Sequence, residues 1–163
     1  VVVFMSYIII GVAGSGKTSV GSSLSKFLSI PFYDADDFHS SSNLLKMEAG
    51  LPLNDSDRFP WLNLLSSKIN EWNNDGDAIL ACSALRSVYR EELSKNNEVK
   101  FIFLDGDFEL ISKRLSNRKG HFFNKQLLKE QFSTLEKPQN CIRISIDQSV
   151  ENICFEIIYN NDL

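Results

Sequence analysis

GVAGSGKT, residues 11 to 18, directly follows the apolar run YIII at 7–10. From Gly11 through Val12, Ala13, Gly14, Ser15, Gly16 and Lys17 to Thr18 the spacing is G-x-x-x-x-G-K-T, the P-loop pattern. Its meaning depends on context: a strand should end at Ile10 and a helix should begin near Gly16. In that setting backbone N–H groups and the positive end of the helix face phosphate oxygens. Lys17 then reaches the β and γ phosphates of a nucleotide, and the Thr18 hydroxyl takes one place on Mg²⁺. The competing reading is a chance glycine-rich turn before a helix.

Outward from this stretch, short runs rich in Ile, Val and Phe alternate with longer runs of helical period, the pattern of an α/β protein with a mainly parallel sheet. Strands are expected at 7–10, 31–34, 78–82, 99–104 and 142–146. One helical face after the P-loop carries Val20, Leu24, Phe27 and Leu28, and another carries Leu62, Leu65, Ile69 and Trp72. Asp57 is expected to cap the latter helix, with Pro60 in its first turn. Further helices are expected at about 107–118, 124–135 and 150–159. No repeat or linker divides the chain, so residues 1–163 read as one domain of five strands and six or more helices.

Composition narrows the function. The 163 residues are 43% hydrophobic and 23% charged, with a net charge of −4. The acidic balance and the lack of a basic cluster argue against nucleic acid as a partner. The opening VVVFMSYIII is too short to span a bilayer and reads as a tail plus a buried strand, so no membrane partner is expected. Cys82, Cys141 and Cys154 have no metal-site or redox spacing and are expected as reduced packing residues, pointing to the cytoplasm.

Two further stretches carry chemistry. FYDADDFH at 32–39 puts Asp34 and Asp36 at the carboxyl end of a strand, on the side where α/β sheets bind ligands. Carboxylates there can hold Mg²⁺ and take the proton of an attacking hydroxyl; a polar loop capping the next helix is the bland alternative. The third strand ends in ILACSALR, with Ser83 where many ATPases of this type carry an acidic residue, so the metal depends on Asp34 and Asp36. In RLSNRKGHFF, Arg114 and Arg118 lie one helical turn apart, followed by Lys119, Gly120 and His121. They read as a lid around 114–124 whose arginines neutralise transferring charge, against the alternative of a solvated basic helix end. A GTPase is excluded, because D-x-x-G and N-K-x-D are both missing.

Taken together, YDADDFH, NLLKM, GLPLNDSDRFPWL, CSALRSVYR and LDGDFELISKRLSNRKGHFF, in this order over nearly the whole chain, resemble the gluconate kinases (gluconokinases) among the P-loop small-molecule kinases. The resemblance implies a three-layer P-loop NTPase fold like that of nucleoside-monophosphate and shikimate kinases, with a five-stranded mainly parallel sheet and helices on both faces. It implies ATP-dependent phosphorylation of the 6-hydroxyl of D-gluconate, feeding the pentose phosphate route, in a homodimer. By position it assigns residues 11–18 to ATP, Asp34 and Asp36 to metal and hydroxyl activation, and His39, Arg58 and Arg86 to the sugar acid. A carboxylate substrate suits a bidentate guanidinium, with Arg58 the first choice and Arg86 the second. His39 equally fits a helix-cap neighbour, Lys46 a solvated helix face, and Trp61 and Trp72 the core. Ser40 stands where the family pattern has proline, which is expected to loosen that turn, and Arg86 where some members have lysine. The alternatives are a shikimate kinase, although CSAL replaces its glycine triplet, a nucleoside-monophosphate kinase, although no D-G-x-P-R is present, and a nucleotide-binding regulator without turnover.

Overall fold

The computed structural model describes residues 2–118 and 124–163. The strands are β1 (Ser6–Ile10), β2 (Phe32–Asp34), β3 (Ala78–Ala81), β4 (Val99–Asp105) and β5 (Ile142–Ser145). They form one sheet of order β2-β3-β1-β4-β5. Every pairing in it is parallel. The chain moves from β1 to one edge and back through β3, then crosses to β4 and β5. Strand order therefore reverses around β1, and the crevice beyond its carboxyl end is the ligand-binding position of such sheets.

The helices are α1 (Lys17–Leu28), α2 (Ser41–Glu48), α3 (Asp55–Asp75), α4 (Ser87–Ser94), α5 (Phe108–Ser116), α6 (Lys125–Thr134) and α7 (Val150–Asn160). A 3₁₀ turn, Ala35–Phe38, joins β2 to α2. Alternation along β1 divides the core into two layers. Ile9 packs with Val20 and Leu24 of α1, Ile111 of α5, Leu128 of α6 and Ile153 and Ile157 of α7. Ile8 and Ile10 face the opposite way, onto Leu62, Leu65 and Ile69 of α3 and Tyr89 and Leu93 of α4. Strands covered on both faces must be apolar throughout, which explains the unbroken III of β1.

The expected strands and helices appear with ends shifted by a residue or two. Three local expectations fail. Phe27 does not join the core face of α1: it is 55% exposed and lies 6.2 Å from the Phe155 ring on α7. The cap of α3 is Asn54, not Asp57. Asp57 is instead the third residue of a capping box, in which the Asn54 side chain accepts from the Asp57 N–H and Asp57 accepts from the Asn54 N–H. Pro60 accordingly falls in the second turn rather than the first. Ser40 does not loosen its turn, since its hydroxyl caps α2 by accepting from the Asn43 N–H at 3.1 Å. The lid expected around 114–124 has its centre at residues 119–123, including Lys119, Gly120 and His121, which lie outside the described residues.

One contact fixes α1 to the sheet edge that carries the acidic strand end. A Cβ added at Gly21 would stand 2.3 Å from Cε1 of Phe32, so only glycine lets β2 approach this closely. Gly21→Ala is expected to lower the unfolding free energy by about 1–3 kcal/mol. Urea unfolding checks this, and an unchanged midpoint would mean that the ring relaxes freely.

Candidate active site

The P-loop sits where its sequence requires, between the end of β1 and the start of α1. Gly14 and Gly16 adopt φ of +78° and +98°, a region that costs other residues a steric penalty. Gly14 is also crowded, because a Cβ there would lie 2.7 Å from Cγ of Leu115 on α5. Among the described residues, the amides of Gly14, Gly16, Lys17 and Thr18 have no hydrogen-bond partner. These are the unpaired donors of a helix start, and they suit phosphate oxygens. The Ala13 amide differs: it donates to Oε1 of Gln131 on α6 at 2.7 Å, so this residue of the expected nucleotide loop is already partnered.

Lys17 Nζ donates to the Gly11 carbonyl at 3.0 Å and the Val12 carbonyl at 3.1 Å. Burial pushes its ammonium below the ordinary lysine range, opposed by Cys82, Asp36 and Asp34. The Cys82 thiol beside it is pushed up to about 12 by burial, so it is a protonated packing group, as expected of that cysteine.

Asp34 and Asp36 meet the loop from β2. Thr18 Oγ1 lies 3.5 Å from Asp34 Oδ2, and Asp34 Oδ1 accepts from the Asp36 N–H at 3.0 Å. Both oxygens of Asp34 are thus oriented, one by the P-loop and one by its own turn. The Asp36 carboxylate stays open to water, its side chain 72% exposed. Crowding by protein atoms, and then the charge of Asp34, raise its carboxyl above the ordinary range. Thr18 and Asp34 form an all-oxygen donor set suited to a hard cation, and Mg²⁺ in such sites draws its remaining ligands from phosphates and water.

Beyond Asp36 the cleft turns apolar and then basic. The His39 side chain is only 3% exposed, with its ring stacked on Trp61 at 4.2 Å. Its Nε2 is 3.8 Å from Asp36 Oδ1, and its Nδ1 lies 3.3 Å from Asn43 Nδ2. Trp61 Nε1 donates to the Ala35 carbonyl at 2.9 Å, so Trp61 braces the acidic turn and is not merely core. Trp72 stacks on Tyr33 at 4.0 Å beneath it. Lys46 is likewise more than a solvated face, since it bonds Asp57 at 2.8 and 3.0 Å and ties α2 to α3.

Arg58 on α3 and Arg86 at the start of α4 converge over the Tyr89 ring, their guanidinium carbons 5.6 and 5.5 Å from its centroid. Asp55 joins them: its Oδ2 accepts from Arg86 Nη1 at 3.2 Å, and its Oδ1 accepts from the Tyr89 hydroxyl at 2.6 Å. Sequence reasoning missed Asp55, Tyr89 and Trp61. Their i, i+3 spacing to Arg58, Arg86 and Arg58 respectively was the only available signal. The expected pair Arg114 and Arg118 is less gathered. Arg114 Nη2 donates to the Ile146 carbonyl at 2.5 Å, and Arg118 is exposed just past the end of α5. Their helix is nonetheless packed on the P-loop through Leu115 and Gly14.

Burial, with Arg58 as a lesser cause, holds the His39 imidazole below its ordinary value, while Asp36 opposes the shift. An unfolded chain then binds a proton that the folded chain resists, so stability falls as pH drops below about 6.5. With only two histidines in the chain, His39→Gln is expected to reduce the stability lost between about pH 7 and 5. Urea titrations at the two pH values measure this, and an equal loss in both proteins would contradict it.

A family model described as shikimate kinase matches residues 13–157. A probable gluconokinase of Dictyostelium discoideum is 44% identical over 92% of this chain and 82% of its own length. The thermosensitive gluconokinase of Escherichia coli is 42% identical over 91% of this chain and 82% of its own. The crystal structure of a gluconokinase from Sinorhizobium meliloti superposes with a TM-score of 0.84 at 32% identity, covering 94% and 89% of the two chains. Together with a five-stranded parallel sheet, a P-loop after β1 and paired carboxylates after β2, these likenesses show that the chain belongs to the gluconokinase family of P-loop kinases.

Proposed function

We propose that this protein transfers the γ-phosphoryl group of ATP to the primary hydroxyl of D-gluconate, giving 6-phospho-D-gluconate. The observation that carries this reading is the juxtaposition, at the carboxyl ends of the strands, of three parts. These are a P-loop with unpaired amides, two carboxylates on one turn, Asp34 facing Thr18 and Asp36 beside it, and two arginines converging on one tyrosine. A monoanionic polyol spans such a cleft naturally. Its carboxylate pairs with guanidinium donors and its far hydroxyl comes to the acidic turn.

The chain's own groups divide the work. The loop amides and Lys17 bind and orient the phosphates. Asp34, fixed on both oxygens, serves with Thr18 as the metal-side carboxylate, and a bound Mg²⁺ would neutralise phosphate charge there. Asp36 is the proton acceptor: its carboxylate is open, and its raised proton affinity brings it closer to that of a hydroxyl losing its proton. His39 stays neutral beside it and offers a ring nitrogen to a polyol hydroxyl. Arg58 and Arg86 take the sugar carboxylate, while Arg114 and Arg118, at the edge of the P-loop, neutralise charge on the transferring group. Product of this kind would enter the pentose phosphate route. The free thiols fit work in a reducing compartment such as the cytoplasm. No helix among the described residues is long and apolar enough to cross a membrane.

Steady-state kinetics with ATP, Mg²⁺ and D-gluconate, beside shikimate and AMP as acceptors, test the reading. Turnover is expected with gluconate alone. Lys17→Ala should lower kcat by roughly 10²–10³-fold, the scale for removing one group that stabilises transition-state charge. Arg58→Ala should instead raise KM for gluconate by about ten-fold or more, the scale of one lost charge-assisted hydrogen bond. Turnover with another acceptor would overturn the substrate, and an unchanged KM in Arg58→Ala would remove that residue from the site.

A further inference from the structure

The two arginines stand where helix electrostatics disfavours them. Arg58 lies in the first turn of α3 and Arg86 is the residue preceding α4, both at the positive end of a helix macrodipole, where a cation is destabilising. They also face each other over one aromatic ring, which adds like-charge repulsion. Nothing in helix formation calls for either residue there, so the arrangement is a cost carried for a purpose, and something must keep the two guanidiniums together.

Asp55 is placed to do so. It is the first residue of α3, so Arg58 is one turn away on the same face, and its carboxylate reaches across to α4. Oδ1 lies 3.7 Å from Arg58 Nη1 and accepts from the Tyr89 hydroxyl at 2.6 Å. Oδ2 accepts from Arg86 Nη1 at 3.2 Å. The Tyr89 hydroxyl in turn accepts from Arg58 Nη1 at 3.2 Å, closing a ring of Asp55, Tyr89 and Arg58 to which Arg86 is tied through Asp55. Glu136 adds a weaker tie, with Oε1 at 3.8 Å from Arg86 Nε. Asp55 engages only Nη1 of each arginine, so among the described residues Nη2 of both and Nε of Arg58 remain available to a ligand.

We propose that Asp55 is a positioning residue for the substrate: its carboxylate, fixed by Tyr89, holds Arg58 and Arg86 as one preformed fork for the carboxylate of a sugar acid. This rests on the gluconate reading above and deepens it. The carboxylate acts as a bracket and not as a competitor for the arginines. Its removal lets two like charges separate, and the substrate must then reassemble the fork when it binds.

The two possibilities predict opposite signs. With Asp55 as a bracket, Asp55→Asn raises KM for gluconate by about ten-fold, as for loss of a charge-assisted contact. It leaves kcat and the KM for ATP within about two-fold, because the P-loop and Asp36 are untouched. Tyr89→Phe, which deletes one hydroxyl and keeps the ring, raises KM for gluconate by about five-fold with the same selectivity. If Asp55 competes with the substrate, Asp55→Asn lowers KM. A lowered or unchanged KM in that variant overturns the proposal, as does a parallel loss of kcat and of ATP affinity in both variants, which would mark a merely structural role. Wild-type protein is assayed first: if it does not phosphorylate gluconate, the reading of the substrate fails on its own, before either variant is compared.

Discussion

Everything at this site depends on confining one ammonium group. Lys17 is held against two carbonyls of its own loop in surroundings crowded enough to depress its proton affinity, and a cation so placed is stabilised by whatever negative charge reaches it. The fold supplies that charge from β2, whose carboxyl end brings Asp34 to Thr18 and Asp36 close behind. Crowding by protein atoms raises the proton affinity of Asp36, and repulsion between the two carboxylates adds to it.

The rest of the molecule keeps these groups at fixed spacing. Gly21 lets β2 lie against α1, and the bare Gly14 lets α5 press Leu115 onto the P-loop. Trp61 reaches from α3 to the Ala35 carbonyl and covers His39, so the acidic turn cannot drift from the helix that carries Arg58. The Lys46–Asp57 pair and the Asn54 capping box hold the start of α3 from the other side. The arginine pair and the acidic turn are therefore linked through α3.

Much of this was legible in the sequence, for identifiable reasons. A strand buried on both faces must be apolar throughout, so III could only be β1 or its equivalent. A phosphate loop needs glycine at left-handed positions, so GVAGSGKT had few other readings. The acidic strand end and the candidate arginines could likewise be named from their neighbours along the chain. What stayed hidden were contacts between elements distant in sequence. Asp55 and Tyr89 are 34 residues apart, and beyond its i, i+3 spacing to Arg58 nothing local marks that aspartate out from Asp57, two residues on, which closes the Asn54 capping box. Phe27 fits the helical period of α1 yet is exposed beside Phe155. Gln131 of α6 closes onto the Ala13 amide, a contact no spacing rule suggests.

On the proposed mechanism, Arg58 and Arg86 hold a sugar acid by its carboxylate and its opposite end reaches Asp36. Phosphorus NMR of the product formed from ATP and D-gluconate tests this most directly, because the proton coupling of the new ester reports the carbon that carries it. The account predicts a phosphomonoester split into a triplet by a CH₂ group, which marks the terminal 6-position. A doublet from a secondary carbon, or an acyl phosphate formed at the carboxylate itself, would contradict it.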